Sequence, residues 1–247
     1  MRTFRLAIAL VLTALLATTA CAQATLDPAA APGQNFELSA YRLQTLSSKL
    51  EFTEVSLIKS YQDHFFFTDP KTGAMLFRTP AGAGHSGHSE YPRVELRTID
   101  DFTMEASRDH ARAQSLVLQV LAEPGTGKLI FAQIHGETTG TELLKMRWTH
   151  GNILMGVKMQ PGAQEQQIEL LRGIALGDRV ECQLTLQGSI LTVTVRSQDR
   201  SVTKRFSYDA NAWSGQELYF KFGNYLQDKE HDGSEGVVAV QQLTLAM

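Results

Sequence analysis

A regular succession of short β-type runs, separated by turn signals, constrains the fold of this chain more than any other feature. Within each run apolar or β-branched residues alternate with polar ones, as is typical of half-buried strands, whereas helical periodicity is almost absent. The pattern predicts an all-β fold, an antiparallel sandwich or jelly roll with few short helices. The predicted strands cover residues 55–58, 64–68, 74–78, 91–97, 115–121, 128–135, 142–148, 152–159, 167–171, 179–187, 190–196, 217–225 and 237–246. Turn signals separate many of them, at residues 69–73, 123–127, 150–152 and 187–189.

The first 34 residues differ from the rest of the chain. Arg2 and Arg5 precede an apolar run that ends at Ala17, and small residues follow, which predicts a secretory signal peptide over residues 1–22. The apolar run is too short to span a membrane. Residues 23–34 are small, unpatterned and contain proline, and they predict a tether. A chain of 247 residues with 43% hydrophobic content can bury one core, so we expect a single domain over residues 35–247.

Two processing routes are open at Cys21. Ala20-Cys21-Ala22 fits the small-x-small rule for signal cleavage, whereas lipoproteins carry a lipid on such a cysteine and usually have Leu three residues before it. This chain has Thr18 there, so simple secretion is favoured, and we expect a secreted or periplasmic bacterial protein. Either route leaves Cys182 without a partner for a disulfide. Cys182 is therefore predicted to be a small buried side chain.

The charge of the chain bears on its partners. The formal net charge is −3, and removal of Arg2 and Arg5 with the signal peptide lowers it by 2, to −5. The overall field would repel a polyanion, so an anionic substrate needs a local basic groove. No basic tail or stripe is present, and nucleic acid is not expected as a partner.

Three segments place polar residues at strand spacing: residues 91–97, 133–135 and 219–227. Because side chains alternate between the two faces of a strand, neighbouring strands would collect these polar groups on one face. That face would hold Arg93, Glu95, Arg97, Gln133, His135, Tyr219, Lys221 and Tyr225. Its chemistry suits an anionic substrate. The opposite face would carry Val94, Leu96, Ile134, Phe220 and Phe222.

Two Gly-rich polar loops flank these strands, residues 81–90 and 227–236. They are either plain solvated loops or flaps over a groove. The acidic residues and histidine at 228–232 lack metal-ligand spacing, and no metal site is predicted. Trp148 and Trp213 are expected in the core rather than on sugars. The remaining histidines have no motif support and are expected at the surface: His64, His85, His88, His110 and His150.

At these motifs the chain closely resembles the alginate lyases of polysaccharide lyase family 7. The family's three signature segments appear in order as RVELR, QIH and YFKFGNYLQ, and the resemblance covers about residues 35–246. The chain departs from the pattern at Val94, where the family usually has Ser or Thr, but that side chain is predicted to point away from the polar face. The resemblance implies a β-jelly roll of two curved antiparallel sheets, with alginate bound in the concave groove and no cofactor or metal.

The resemblance also implies roles for individual residues in β-elimination, whose difficult step is removal of the C5 proton of a uronate. Arg93 and Gln133 would hold the uronate carboxylate, and an arginine fork suits that task. His135 would act as neutral base on guluronate, and Tyr225 would protonate the leaving O4 and serve as both base and acid on mannuronate. Glu95 would orient Arg93 and Arg97, with a lowered pKa. The remaining substrate contacts would be Arg97, Lys221, Tyr91, Tyr219 and Gln227.

The sequence alone leaves three alternatives open. A lyase of the same fold acting on glucuronan or another polyuronate would need the same residues. A non-catalytic carbohydrate-binding jelly roll would not need a histidine and a tyrosine at one sugar. A glycoside hydrolase would need two carboxylates, and only Glu95 is evident. Within the family, QIH accompanies acceptance of guluronate-containing blocks, so we expect that preference, and we expect a monomer.

Overall fold

The computed structural model describes residues 25–87 and 89–247. The predicted signal peptide over residues 1–22, including Cys21, lies outside the described residues and stays a prediction. His88 also lies outside them. Within the described ranges, no helix has the length and apolar character needed to cross a membrane.

Fifteen strands and one short helix make up the described part of the chain. The helix α1 is Pro32–Asn35. The strands are β1 Tyr41–Leu46, β2 Phe52–Val55, β3 Phe66–Thr68, β4 Met75–Pro80, β5 Arg93–Thr98, β6 Arg112–Ala122, β7 Lys128–Gly136, β8 Leu144–Thr149, β9 Asn152–Val157, β10 Gln166–Leu171, β11 Val180–Gln187, β12 Ile190–Ser197, β13 Arg200–Ser207, β14 Leu218–Leu226 and β15 Glu235–Ala246.

The strands form two antiparallel sheets. The eight-stranded sheet has the order β10-β9-β8-β7-β14-β5-β1-β2, and the seven-stranded sheet has the order β13-β12-β11-β6-β15-β4-β3. Many neighbours are distant in sequence, as where β14 lies between β5 and β7, so the chain crosses repeatedly between the sheets. The predicted fold class, an all-β jelly roll, is confirmed.

The core lies between the two sheets. Val94, Leu96, Ile134, Phe220 and Phe222 of the eight-stranded sheet are fully buried, in one apolar cluster with side chains of the other sheet. Burial of each such side chain contributes roughly 1.5–3 kcal/mol of transfer free energy. The predicted apolar face is confirmed. The opposite face of this sheet, hereafter the polar face, is the one on which the predicted site residues lie.

Three further core predictions are confirmed. Trp148 and Trp213 are buried, and their indole N–H groups donate to Glu123 Oε2 at 2.6 Å and to the Met159 carbonyl oxygen at 3.1 Å. Cys182 is buried, and burial raises the pKa of its thiol to about 12. A thiol in that state is unreactive at neutral pH.

Two strands were missed at the sequence level, and both lie near sheet edges. β13 is the edge strand beside β12, and on its inner side half-buried Val202 and Phe206 alternate with Arg200 and Lys204, so its apolar pattern is weak. β1 alternates buried and half-buried positions over its first five residues and lies beside the edge strand β2. The run predicted at 55–58 is a strand only at its first residue, since β2 ends at Val55 and Leu57 is 89% exposed.

The segment predicted as a tether is packed onto the domain over its described part. Leu26 contacts the apolar cluster, and Pro32 begins the short helix α1. Asn35 Nδ2 donates to the Asp27 carbonyl oxygen at 2.8 Å, and Asn35 Oδ1 accepts from the Asp27 N–H at 2.8 Å. The packed domain therefore extends toward the N terminus beyond residue 35.

Candidate active site

The register of the eight-stranded sheet makes the three polar segments neighbours, because β14 pairs with β5 on one side and with β7 on the other. The Cα partners are Gln133 with Lys221, Lys221 with Arg97, His135 with Tyr219, and Tyr225 with Arg93. The predicted collection of these side chains on one face is therefore confirmed. Their roles in catalysis stay predictions.

Gly223 explains why the third segment contains a glycine. It lies opposite Glu95 with φ 137°, and a Cβ there would lie 2.5 Å from the Val94 carbonyl oxygen. Side chains rarely adopt this φ, and the contact with backbone leaves no room for one. The register of β14 against β7 also shifts between Phe222 and Tyr225, so a β-bulge lies at this point.

Glu95 is the centre of a buried network beneath the polar face. It is fully buried, accepts hydrogen bonds from Lys221 Nζ and Gln133 Nε2, both at 2.6 Å, and contacts Arg93 Nη1 at 3.4 Å. Burial alone would raise the pKa of Glu95, but the charges of Lys221 and Arg93 and these hydrogen bonds hold it below the ordinary value. The direction of the shift agrees with the prediction, but the second cation that lowers this pKa is Lys221 and not Arg97.

Lys221 lies beside Glu95 and is 2% exposed. Burial and the charge of Arg93 lower the pKa of Lys221 to about 7, although Glu95 opposes that shift. Lys221 is therefore the cation of this network that loses its proton most readily. Glu95, Lys221 and Gln133 are all buried, and both Lys221 and Gln133 donate hydrogen bonds to Glu95.

Arg97 differs from its prediction, because it pairs with two other carboxylates and not with Glu95. Arg97 Nη2 lies 3.1 Å from Asp101 Oδ1 and also contacts Glu137 Oε1. Its guanidinium carbon lies 3.6 Å from the centroid of the Tyr219 ring. Asp101 and Glu137 follow the ends of their strands, where the sequence pattern carries no period, and this explains why the sequence did not reveal the pairing.

His135 is held as a neutral imidazole. Its Nδ1 lies 2.7 Å from the Gly136 carbonyl oxygen, which only accepts, so Nδ1 carries the proton and Nε2 has a free lone pair. Burial, followed by the charge of Lys221, lowers the pKa of His135 to about 4, against the opposing effect of Glu142. Tyr219 stacks on the imidazole at 5.3 Å between centroids, and its hydroxyl lies 3.0 Å from Nδ1.

Tyr225 lies under a cation and beside a serine. The Arg93 guanidinium carbon is 3.9 Å from the centroid of its ring, and its hydroxyl is 2.9 Å from Ser89 Oγ. Ser89 Oγ also donates to the Tyr91 carbonyl oxygen at 3.1 Å, which leaves it as the acceptor for the phenol proton. The sequence did not identify Ser89, because it lies in a polar loop without periodicity.

The two Gly-rich loops, residues 81–90 and 227–236, meet beside Tyr225. Lys229 Nζ of the second loop binds Glu90 Oε2 of the first at 2.8 Å, and Gly82 packs against the ring of His231. The two remaining predicted contacts, Tyr91 and Gln227, line a pocket of about 460 Å³. The loops therefore border the polar face, as the functional interpretation of them requires.

Four further charged residues border the polar face beyond His135, and the sequence motifs did not include them. Glu142 Oε1 lies 4.0 Å from His135 Nε2 and 3.6 Å from Lys145 Nζ. Glu165 accepts two hydrogen bonds from Arg147 Nη2, at 2.7 and 2.8 Å. Lys145 is the Cα partner of Gln133. In the run 142–148, Lys145 and Arg147 alternate with apolar residues, and this alternation was the signal that could have located them.

Replacing Glu95 by Gln should lower the free energy of unfolding by about 2–4 kcal/mol, because Lys221 and Arg93 lose a buried counter-charge. Urea unfolding at neutral pH measures the change. Glu90→Gln removes an exposed partner of an ion pair and should leave the stability nearly unchanged. Equal stability of Glu95→Gln and the parent protein would show that the network does not stabilise the fold.

Among residues 25–87 and 89–247, no group of three or more His, Cys, Asp or Glu side chains is arranged to hold a metal ion.

Comparisons with known proteins give a consistent result. A family model described as alginate lyase matches residues 36–246. A doubly substituted family 7 alginate lyase A1-II′ in complex with substrate (GGMG) is 29% identical, with a TM-score of 0.78 over 89% of this chain and 97% of that chain. A second structure of alginate lyase A1-II′, described as a member of polysaccharide lyase family 7, is 29% identical, with a TM-score of 0.77 over 88% of this chain and 98% of that chain.

The alginate lyase from Klebsiella pneumoniae shares the fold at 23% identity, with a TM-score of 0.76 over 87% of this chain and 98% of that chain. Among curated protein sequences no match is found.

Proposed function

The chain belongs to the alginate lyases of polysaccharide lyase family 7, and from this premise we propose that it cleaves alginate by β-elimination at the 4-O-glycosidic bond. The reaction breaks the C5–H bond and the C4–O4 bond and consumes no water. Its product carries a 4,5-unsaturated uronate at the new non-reducing end. The observation that carries the proposal is the neutral His135 beside the Glu95 network on one polar face.

Arg93 and Gln133 are proposed to bind the carboxylate of the uronate whose C5 is deprotonated. The Arg93 side chain is 10% exposed, so part of its guanidinium can be reached from the polar face. Charge that develops at C5 would spread onto this carboxylate as an enediolate, and fixed donors stabilise it without reorganisation. Glu95 holds both side chains in place from below.

His135 Nε2 is proposed as the base that takes the C5 proton of guluronate, and Tyr225 as the acid that protonates O4. The protonated Nδ1 leaves Nε2 ready to accept a proton. For mannuronate, where the proton and the leaving oxygen lie on the same side, Tyr225 would perform both steps. The guanidinium carbon of Arg93 lies 3.9 Å from the centroid of the Tyr225 ring, which puts a positive charge beside this residue.

Guluronate-containing blocks are proposed as the preferred substrate. His135 and Tyr225 belong to different cross-strand pairs, and the pair of Gln133 with Lys221 lies between them on the sheet. A base and an acid that are separated in this way suit a proton and a leaving group on opposite sides of the sugar. Ile134 of the QIH segment points into the core, so it influences the preference only through its neighbours.

A hydrolytic function has little support in this arrangement. Glu95 is fully buried, and its pKa is lowered by Lys221 and Arg93 against the effect of burial. A general acid for glycoside hydrolysis needs the opposite shift and a second carboxylate at the sugar. Secretion and a monomeric state remain proposals.

The first experiment is a substrate panel with the protein lacking residues 1–22. The ultraviolet absorbance of the conjugated double bond is followed with poly-guluronate, poly-mannuronate, mixed alginate and glucuronan. We expect absorbance to rise on alginates, fastest where guluronate is present. A rise in absorbance on glucuronan alone would support β-elimination but replace alginate as the substrate. Binding without any rise would indicate a carbohydrate-binding module.

A further inference from the structure

Arg42 on β1 lies in line with the proposed site. It is the Cα partner of Arg97, which pairs with Lys221, which in turn pairs with Gln133. These residues form one row across four adjacent strands of the polar face. Because neighbouring strands lie about 4.8 Å apart, the Cα of Arg42 is roughly 14 Å from that of Gln133.

Arg42 is the one arginine of the polar face whose charge is not compensated by a carboxylate among the described residues. Arg93 contacts Glu95, Arg97 contacts Asp101 and Glu137, and Arg147 contacts Glu165. The guanidinium of Arg42 has no hydrogen bond or ion pair with any described residue, and its Nε is buried. The nearby carboxylate of Glu54, on β2, accepts from Gln44 at 2.8 Å instead.

The position of Arg42 is unfavourable without an anion. Like charges directly opposite each other on adjacent strands destabilise a sheet, and Arg42 faces Arg97 in this way. Asp101 and Glu137 neutralise Arg97 at the end of its strand, but Arg42 receives no such partner within residues 25–87 and 89–247. Lys128, a cation at the start of β7, differs because it is exposed to solvent.

We propose that Arg42 forms a binding subsite for the carboxylate of a uronate remote from the cleaved bond. The inference rests on the proposed function, since a polyuronate carries one carboxylate on every sugar and a chain along this row brings further carboxylates over β1. A guanidinium binds such a group through two parallel hydrogen bonds. The uronate carboxylate would be the negatively charged partner that Arg42 lacks among the described residues.

The subsite acts on binding rather than on chemistry. Arg42 lies three strands from Gln133, so its contact with a uronate is the same before and during proton transfer. An interaction that is equally strong in the ground state and the transition state changes KM and leaves kcat unchanged. Only chains long enough to reach β1 from the reacting sugar benefit from it.

The test compares Arg42→Gln with the parent protein on guluronate oligosaccharides of increasing length. We expect KM for long chains to rise roughly tenfold with kcat nearly constant, and the difference to shrink for the shortest cleaved chains. Arg42→Lys should recover part of the affinity, and added salt should reduce the difference between variant and parent. Arg205→Gln, on the exposed face of β13 in the other sheet, is the matched control.

The outcomes separate the subsite from the proposed function. Cleavage by the parent protein with equal KM values for parent and Arg42→Gln at every length would overturn the subsite and leave the lyase intact. Absence of cleavage on every polyuronate by the parent protein would overturn the proposed function, and the subsite with it. A fall in kcat equal to the rise in KM would assign Arg42 to the chemistry and also overturn the inference.

Discussion

Tyr225→Phe is expected to lower kcat on every alginate by about 10⁴-fold, because the departing O4 loses its proton donor. The ring keeps its place under Arg93, 3.9 Å away, so the fold and the affinity for oligosaccharide should be preserved. Initial rates of absorbance increase give kcat, and calorimetric titration gives the affinity. The loss should be as large on mannuronate as on guluronate, because Tyr225 protonates O4 in both reactions.

Tyr91→Phe is the matched control for this substitution. Its ring centroid lies 6.4 Å from that of Tyr225, but no step of the elimination is assigned to its hydroxyl. We expect kcat for Tyr91→Phe within about tenfold of the parent value. Turnover retained by the Tyr225→Phe variant would show that the phenol is not the proton donor for O4.

Strand periodicity alone was sufficient to predict the face on which the site lies. Val94, Ile134 and Phe222 point into the core, and their neighbours in sequence point the other way, because alternation on a strand is enforced by backbone geometry. Periodicity does not reveal which strands are neighbours. The placement of β14 between β5 and β7 depends on connections across the whole chain, so only the resemblance made that adjacency predictable.

The pairing of individual charges was less predictable than their location. Glu95 was expected between Arg93 and Arg97, since the three share a face at a spacing of two residues. It instead pairs with Arg93 and Lys221, while Arg97 turns to Asp101 and Glu137. Each cation binds the carboxylates within reach of its long side chain. These carboxylates belong to neighbouring strands and loops, and their positions in space cannot be predicted from their order in the sequence.

The local charge pattern also reconciles an acidic chain with an anionic substrate. The overall charge of −3 opposes a polyanion. The polar face nevertheless offers hydrogen-bond donors from Arg42 and Gln133, which lie in one cross-strand row, and from Arg93, which lies in another. Short-range hydrogen bonds at a surface outweigh a weak overall field that salt screens beyond about 8–10 Å. Binding should therefore depend on these few positions rather than on the net charge of the protein.

His135→Asn is expected to separate the two alginate blocks. On poly-guluronate kcat should fall about 10³-fold, because the base for the C5 proton is lost. On poly-mannuronate the loss should be much smaller, because Tyr225 is proposed as both base and acid there. Initial rates on the two homopolymers measure the ratio. Equal losses on both polymers would show that His135 has one role for both sugars, or that its contact with Tyr219 supports the whole site.

The pH dependence of the parent protein tests the same assignment. The neutral form of His135 is the base, and its pKa is lowered to about 4 by burial and then by Lys221, so the neutral form persists well below the ordinary value of about 6.5. Below pH 7, the range in which Lys221 is protonated, we expect kcat/KM on poly-guluronate to show no acid limb at 6.5 and to drop only near pH 4. Glu142 raises this pKa, so Glu142→Gln should move the acid limb to still lower pH. An acid limb near 6.5 that Glu142→Gln does not move would contradict His135 as a buried neutral base.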